Sequence, residues 1–200
     1  MSGAGTGTPV TPITPFVLTT LAAVKALLEQ TETDWDSLIT EIIGAVSARC
    51  AAYCNRDFES KSRVEYHDGG GQYLYLKNLP VASIASIYGS YTWEWASGDL
   101  IDAGDYVLHS SGMVGYRYGA WPYGPKTLKV TYTAGYAAIA VPDDLEMAAR
   151  SQVAYDFGRR KDIGLESVSF PDGSIQKVNS GEFLPSVKAV LNRYRIRPHA

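Results

Sequence analysis

The 200-residue sequence predicts an α+β fold: a mainly helical core of three to four helices, an inserted antiparallel β block and a later β-hairpin. Three observations predict it. Ser47-Ala-Arg-Cys-Ala-Ala-Tyr-Cys-Asn-Arg-Asp-Phe58 ends an amphipathic helix and turns into β structure. Leu128-Lys-Val-Thr-Tyr-Thr-Ala-Gly-Tyr136 is a strand that breaks at Gly135, and the chain restarts as a helix at Pro142. Between them the apolar period falls from helical spacing to two.

The elements follow in order. Residues 1–18 carry Gly, Thr and Pro almost without charge and are expected to form a flexible arm. Thr19 or Thr20 caps a first helix with Leu21, Val24, Leu27 and Leu28 on one face. Asp34 caps a longer second helix, with Asp36 in its first turn. Its stripe is Ile39, Ile42, Ile43, Val46, Cys50, Tyr53 and Cys54, with Glu41, Gly44, Ala48 and Ala51 opposite. That small-residue face permits close approach of another helix.

Between Ser62 and Tyr136 the pairs Val64/Tyr66, Tyr73/Tyr75, Leu74/Leu76 and Tyr106/Leu108, and the run Leu128/Val130/Tyr132, alternate as strands do. Glycine-rich and proline-containing stretches supply the turns, giving about five to seven short strands. The block holds most of the 14 tyrosines and every tryptophan but Trp35. The helix from Pro142 places Leu145, Ala149, Val153 and Phe157 on one face and pairs Glu146 with Arg150. A hairpin is expected around Pro171-Asp172-Gly173. A last helix begins near Pro185, with Leu184, Val187, Leu191 and Tyr194 on one side and a basic tail of Lys188, Arg193, Arg195 and Arg197. The predicted division is an arm at 1–18, a domain at 19–161 with its β insertion at 61–136, a hairpin arm at 162–181, and a terminal helix and tail at 182–200.

Composition excludes several classes. A hydrophobic share of 46% fills a folded core, and a net charge of −3 argues against tight whole-surface binding of nucleic acid. No run approaches the ~20 apolar residues of a membrane span, so no membrane is expected. No signal peptide is visible. Cys50 and Cys54, one helical turn apart, read as reduced core residues.

The chemistry-bearing residues do not converge. Residues 119–127 suggest a phosphate loop, but Pro125 precedes Lys126 where a phosphate loop needs Gly, and a strand follows. Cys50, Cys54 and His67 are three candidate zinc ligands where a structural site wants four. Asp99, Asp102 and Asp105 cluster as the acidic ligands of a metal-dependent hydrolase would, yet they also fit a polar turn entering a strand. His67, His109 and His199 are scattered and support no triad. No enzyme, cofactor or metal is expected.

Two aromatic clusters remain, one with Tyr91, Trp93 and Trp95, the other with Tyr116, Tyr118, Trp121 and Tyr123. They fill the β core or form a subunit interface, and both roles are compatible. A stacking platform for single-stranded nucleic acid would want more basic residues than Arg117 and Lys126.

The order of elements resembles the head–tail connector (adaptor) proteins of long-tailed bacteriophages over residues 18–194. Leu21-Ala-Ala-Val-Lys-Ala-Leu27, Trp35-Asp-Ser-Leu38, Ala51-Ala-Tyr-Cys-Asn-Arg-Asp-Phe58, Leu76-Lys-Asn-Leu-Pro-Val81, Asp105-Tyr-Val-Leu108, Trp121-Pro122, Val130-Thr-Tyr-Thr-Ala-Gly-Tyr136 and Val141-Pro-Asp-Asp-Leu145 carry it. The resemblance implies a non-enzymatic virion protein assembled in the host cytoplasm. It would form a homo-oligomeric, typically dodecameric ring that joins the portal to the tail or a stopper, with viral double-stranded DNA passing through unread. A tail terminator or head-completion stopper is the alternative, and a hydrolase using Asp99, Asp102 and Asp105 the rival. Expected portal contacts are Leu191, Arg193, Tyr194, Arg195 and Arg197, and expected subunit contacts are Trp93, Trp95, Tyr118, Trp121 and Tyr123.

Overall fold

The computed structural model describes residues 16–109, 112–137, 140–160, 167–169, 175–177 and 182–196. Two apolar cores organise it, one between helices and one between sheets.

Helix α1 (Leu21–Leu28) is capped by Thr20, whose hydroxyl accepts from the Ala23 N–H at 3.2 Å. Helix α2 (Asp36–Cys54) starts one residue later than a cap at Asp34 predicts. Trp35 takes the cap position without a side-chain bond, and Asp36 pairs with Lys25 of α1 at 2.6 Å. The predicted stripe turns inward, with Ile39, Ile43, Val46, Cys50 and Cys54 buried and Ile42 and Tyr53 half-buried. Asn55 ends the helix in the left-handed region, φ 50°, a conformation Asn tolerates well. Its N–H bonds Ala52 O and that of Arg56 bonds Ala51 O.

Helix α3 (Asp143–Gly158) touches the other three helices. Leu145, Ala149, Val153 and Phe157 are buried, as their spacing predicts. Helix α4 (Pro185–Tyr194) closes the bundle with Val187 and Leu191. Each such apolar side chain contributes about 1.5–3 kcal/mol on burial, so the stripes supply the driving force. Polar contacts fix the register: Arg49 of α2 pairs with Asp156 of α3 at 2.9 Å, and Tyr53 Oη donates to Asn192 Oδ1 at 2.8 Å. Gln152, fully buried, donates to Asp156 at 2.8 Å and accepts from the Leu184 N–H at 2.9 Å, which anchors the entry to α4. Among the described residues α2 alone is long and apolar enough to cross a membrane, but its apolar face is spent on α1, α3 and α4.

The helical core begins earlier than an arm ending at residue 18 predicts. Phe16 and Val17 pack against it, and Leu18 is buried with its N–H on Ser47 Oγ at 3.1 Å. The rest of the predicted arm lies outside the described residues.

Seven strands form the β module: β1 (Lys61–His67), β2 (Tyr73–Tyr75), β3 (Val81–Gly89), β4 (Leu100–Ile101), β5 (Tyr106–Leu108), β6 (Met113–Tyr116) and β7 (Leu128–Ala134). They make a four-stranded sheet, β1-β7-β3-β4, and a three-stranded sheet, β2-β6-β5, both antiparallel. Leu128, Val130, Tyr132 and Ala134 alternate inward along β7 against Ile87, Leu74, Leu76, Val114 and Trp121. In β1 the alternation runs the other way. Val64 and Tyr66 are half exposed, while Arg63, Glu65 and His67 lie on the less exposed face. Strand β1 is an edge, where charge on the inner face hinders pairing with a further strand.

The two cores meet at Gly135. Its φ is +118°, and a Cβ there would lie 2.2 Å from Glu59 O, so a larger residue would separate β7 from the chain entering β1. Hydrogen bonds from Tyr136 N–H to Phe58 O and from Ser60 N–H to Tyr136 O close the junction. Strands β8 (Ser167–Ser169) and β9 (Ile175–Lys177) pair antiparallel as the predicted hairpin, whose Pro171-Asp172-Gly173 turn lies outside the described residues.

Candidate interaction surfaces

The end of the β module far from the helices gathers exposed aromatic side chains. Register places Tyr66 of β1 and Tyr88 of β3 on either side of Lys129 of β7, with Leu100 of β4 beside Tyr88. These four form one row across the sheet. Trp95 covers part of it, its ring 5.7 Å from that of Tyr66, and Lys129 Nζ lies 6.0 Å from the Trp95 ring and 5.8 Å from that of Tyr88. Trp93 donates its indole N–H to Pro125 O at 3.3 Å. Tyr66, Trp93, Trp95, Pro125 and Lys126 line an open cleft of about 460 Å³.

This cleft is held by strained backbone. Trp93 (φ 60°), Trp95 (φ 57°) and Lys126 (φ 49°) all occupy the left-handed region, which costs roughly 1–3 kcal/mol per non-glycine residue. Local contacts offset that cost. Lys126 N–H donates to Asp68 Oδ1 at 2.7 Å, and Thr127 Oγ1 donates to Pro122 O at 2.9 Å.

The five predicted subunit contacts separate. Trp93, Tyr118 (72% exposed) and Tyr123 (81% exposed) are open to solvent, and Trp95 is half-buried in the cleft. Trp121 is 2% exposed and packs 4.7 Å from the Tyr116 ring inside the β core, so it supports the surface without being part of it. Among the described residues its indole N–H has no partner, and the ring packs against Tyr106 and Tyr116 within that core.

Beneath the row, on the inner side of β1, Glu65 accepts hydrogen bonds from His67 Nε2 (3.0 Å), the Lys77 N–H (3.2 Å), Asn78 Nδ2 (3.0 Å) and the Tyr132 hydroxyl. Burial alone would raise its carboxyl, but these bonds outweigh burial and hold it at about 2. Burial and the Glu65 bond push Tyr132 up to about 12. Sequence reasoning missed this network. Its signal is the alternation of β1, where the charged residues occupy the places a core-facing strand gives to apolar ones.

The predicted portal contacts lie elsewhere. Leu191 is fully buried in the helical core and offers no outward strip. Tyr194 donates to Asp144 Oδ1 at 2.5 Å, and Arg193 pairs with Asp144 Oδ2 at 3.3 Å. Arg193 and Tyr194 therefore take their acidic partner from α3, while Lys188 pairs with Glu182 at 3.6 Å. Arg195 lies 5.3 Å from the Tyr53 ring, the Ile196 N–H bonds Cys54 O, and Arg197 lies outside the described residues. Arg193 keeps 65% of its side chain exposed. The small-residue face of α2 is open over part of its length, with Glu41 and Ala48 exposed and nothing within 4 Å of where a Cβ on Gly44 would sit, while Ala51 packs against the helical core.

Residues raised as chemical candidates serve local structure. The Asp99 carboxylate accepts from the Ala96 N–H at 3.1 Å and that of Asp102 from the Gly104 N–H at 2.7 Å, each closing its own turn. Among the described residues no group of three or more His, Cys, Asp or Glu is placed to hold a metal. Cys50 and Cys54 belong to the helical core while His67 bonds Glu65 in the sheet. Burial pushes the two thiols up to about 12 and about 11.

The architecture is a two-core α+β fold whose notable surface is an aromatic face with a strained, open cleft. The chain belongs to the head completion protein family, whose profile matches residues 17–197. No curated protein matches it. Among solved structures it is similar to a chain in the neck of an empty GTA particle with C6 symmetry, at 17% identity and TM-score 0.57 over 90% of each chain. It is also similar to a chain of the virion of a native gene transfer agent (GTA) particle, at 16% identity and TM-score 0.58, again over 90% of each. A third is in the neck of a native GTA particle with C12 symmetry, at 17% identity and TM-score 0.54, covering 90% of this chain and 92% of that one. At these identities the likeness is one of fold.

Proposed function

We propose that this head completion protein is a structural part of the virion neck that forms a closed homo-oligomeric ring between the portal and the tail or stopper. The aromatic end of the β module carries this reading. Tyr66, Trp93, Tyr118 and Tyr123 are about half or more exposed, on a module whose own core is already filled by Trp121 and Tyr132. Aromatic side chains of this kind are enriched where subunits meet. Family membership and the likeness to neck chains, one of them in a particle with C12 symmetry, support a ring of twelve.

In this reading Trp93, Trp95, Tyr118 and Tyr123 meet the neighbouring subunit, and the open face of α2 admits a neighbouring helix. Exposed Arg193, with Arg195 and Arg197, faces carboxylates of the portal, for which guanidinium geometry is suited. Viral DNA passes through the lumen without being read, in keeping with a net charge of −3. Assembly takes place in the host cytoplasm. Negative-stain imaging of the purified chain, alone and with recombinant portal, tests the proposal. Rings that stack coaxially on the portal are expected. A chain that stays monomeric and does not bind portal overturns it.

A further inference from the structure

We propose that the aromatic cleft of one subunit binds the proline-repeat segment, residues 9–15, of a second copy of this chain. The inference rests on the reading of the aromatic face as a subunit interface and names the segment that occupies it.

The sequence Pro9-Val-Thr-Pro12-Ile-Thr-Pro15 places proline at every third residue. Three residues make one turn of polyproline II, so these prolines share one edge of that helix, spaced by about 9 Å. The segment carries no charge. Clefts walled by Trp and Tyr are the surfaces that recognise such an edge, because proline presents a flat apolar ring at low entropy cost. The walls here are Tyr66, Trp93 and Trp95, with Pro125 as the rim. Polyproline II leaves its carbonyls unpaired, and the Lys126 side chain at the cleft edge is a donor for one of them.

Chain length favours a second copy over the same chain. Phe16 and Val17 are packed against the helical core. The cleft lies at the other end of β7, level with Lys129, whereas Tyr136 packs against that core. From Lys129 to Ala134 the strand spans about 17 Å, and Tyr136 lies two residues further along the chain. Pro12 lies four residues before Phe16 and reaches at most about 14 Å from it. A segment centred on Pro12 therefore meets a neighbour's cleft more readily than its own.

The test uses full-length chains. The receptor carries Pro9→Ala, Pro12→Ala and Pro15→Ala, which leaves the cleft intact and removes its own ligand. A synthetic peptide of residues 6–16 is titrated while tryptophan fluorescence is followed. Saturable binding is expected, weakened at least about tenfold when Trp93→Ala is added to the receptor. The alanine-substituted peptide is expected not to bind. In a second arm, the chain lacking Pro9, Pro12 and Pro15 is mixed with a differently tagged chain carrying only Trp93→Ala. The two are expected to co-purify more strongly than either does with itself.

Equal peptide affinity with and without Trp93→Ala overturns the inference. So does a mixture that co-purifies no better than its components, or an oligonucleotide that titrates the cleft where the peptide does not. Rings that form normally from the chain lacking Pro9, Pro12 and Pro15 overturn it too, while leaving the ring proposal intact.

Discussion

The helical core and the β module solve the same problem differently. In the helices the apolar stripes meet each other, and polar side chains such as Arg49, Gln152 and Asp144 tie one helix to the next. In the β module much of the aromatic content faces out, and the inside holds a charged group, Glu65, satisfied by four donors. The helical half buries most of its large apolar residues, with Leu27, Trp35 and Met147 left exposed. The sheet half leaves an aromatic surface open, the one the proposed ring uses.

The largest effect expected from breaking this contrast is in the helices. Val46 is fully buried on α2, so Val46→Asp buries an unpaired charge and is expected to abolish cooperative folding in thermal melts followed by circular dichroism. Ile42→Asp, on the half-buried edge of the same stripe, is expected to cost less. Wild-type melting of Val46→Asp would show that α2 is packed otherwise.

A smaller effect separates the sheets by pH. Glu65 is held at about 2 in the fold against an ordinary 4.5, so its bonds stabilise the fold above about 4.5 and are lost as pH falls towards 2. The difference amounts to roughly 3 kcal/mol. Glu65→Gln is expected to lower stability at neutral pH and flatten the acid side of the stability profile. Parallel acid profiles for mutant and wild type would remove the network from the account. Smaller again is the double variant Cys50→Ala, Cys54→Ala, expected to fold and assemble with a loss of about 2 kcal/mol in urea titration. One zinc per wild-type chain by metal analysis, lost in this variant, would contradict the core role of both thiols.

The sequence exposed the helices more fully than the sheets. Period 3.6 identified Leu145, Ala149, Val153 and Phe157 because a helix needs only one apolar face, and each stripe is long. The β strands were legible as alternation, but which phase faces in was not. In β1 the apolar phase, Val64 and Tyr66, points out because the inner phase is paid for by hydrogen bonds to Glu65. Trp121 and Trp93 were indistinguishable in sequence, and only the pairing of two sheets buries one and exposes the other. The partner of Arg193, Asp144, lies on a different helix far away in sequence, where no local pattern points to it. The cleft combines residues from β1, the loop before β4 and the loop before β7, a convergence no local pattern announces.

In the proposed ring the two buried cores hold the fold and the exposed aromatic end of the β module makes the assembly contacts. The double variant Tyr118→Ser, Tyr123→Ser tests this most directly, with melting temperature and sedimentation measured on the same sample. A melting temperature within about 3 °C of wild type is expected, because both side chains are mostly solvated, together with loss of the ring at concentrations where wild type forms it. Rings of unchanged size, or a melting temperature lowered as far as a core substitution lowers it, would contradict it.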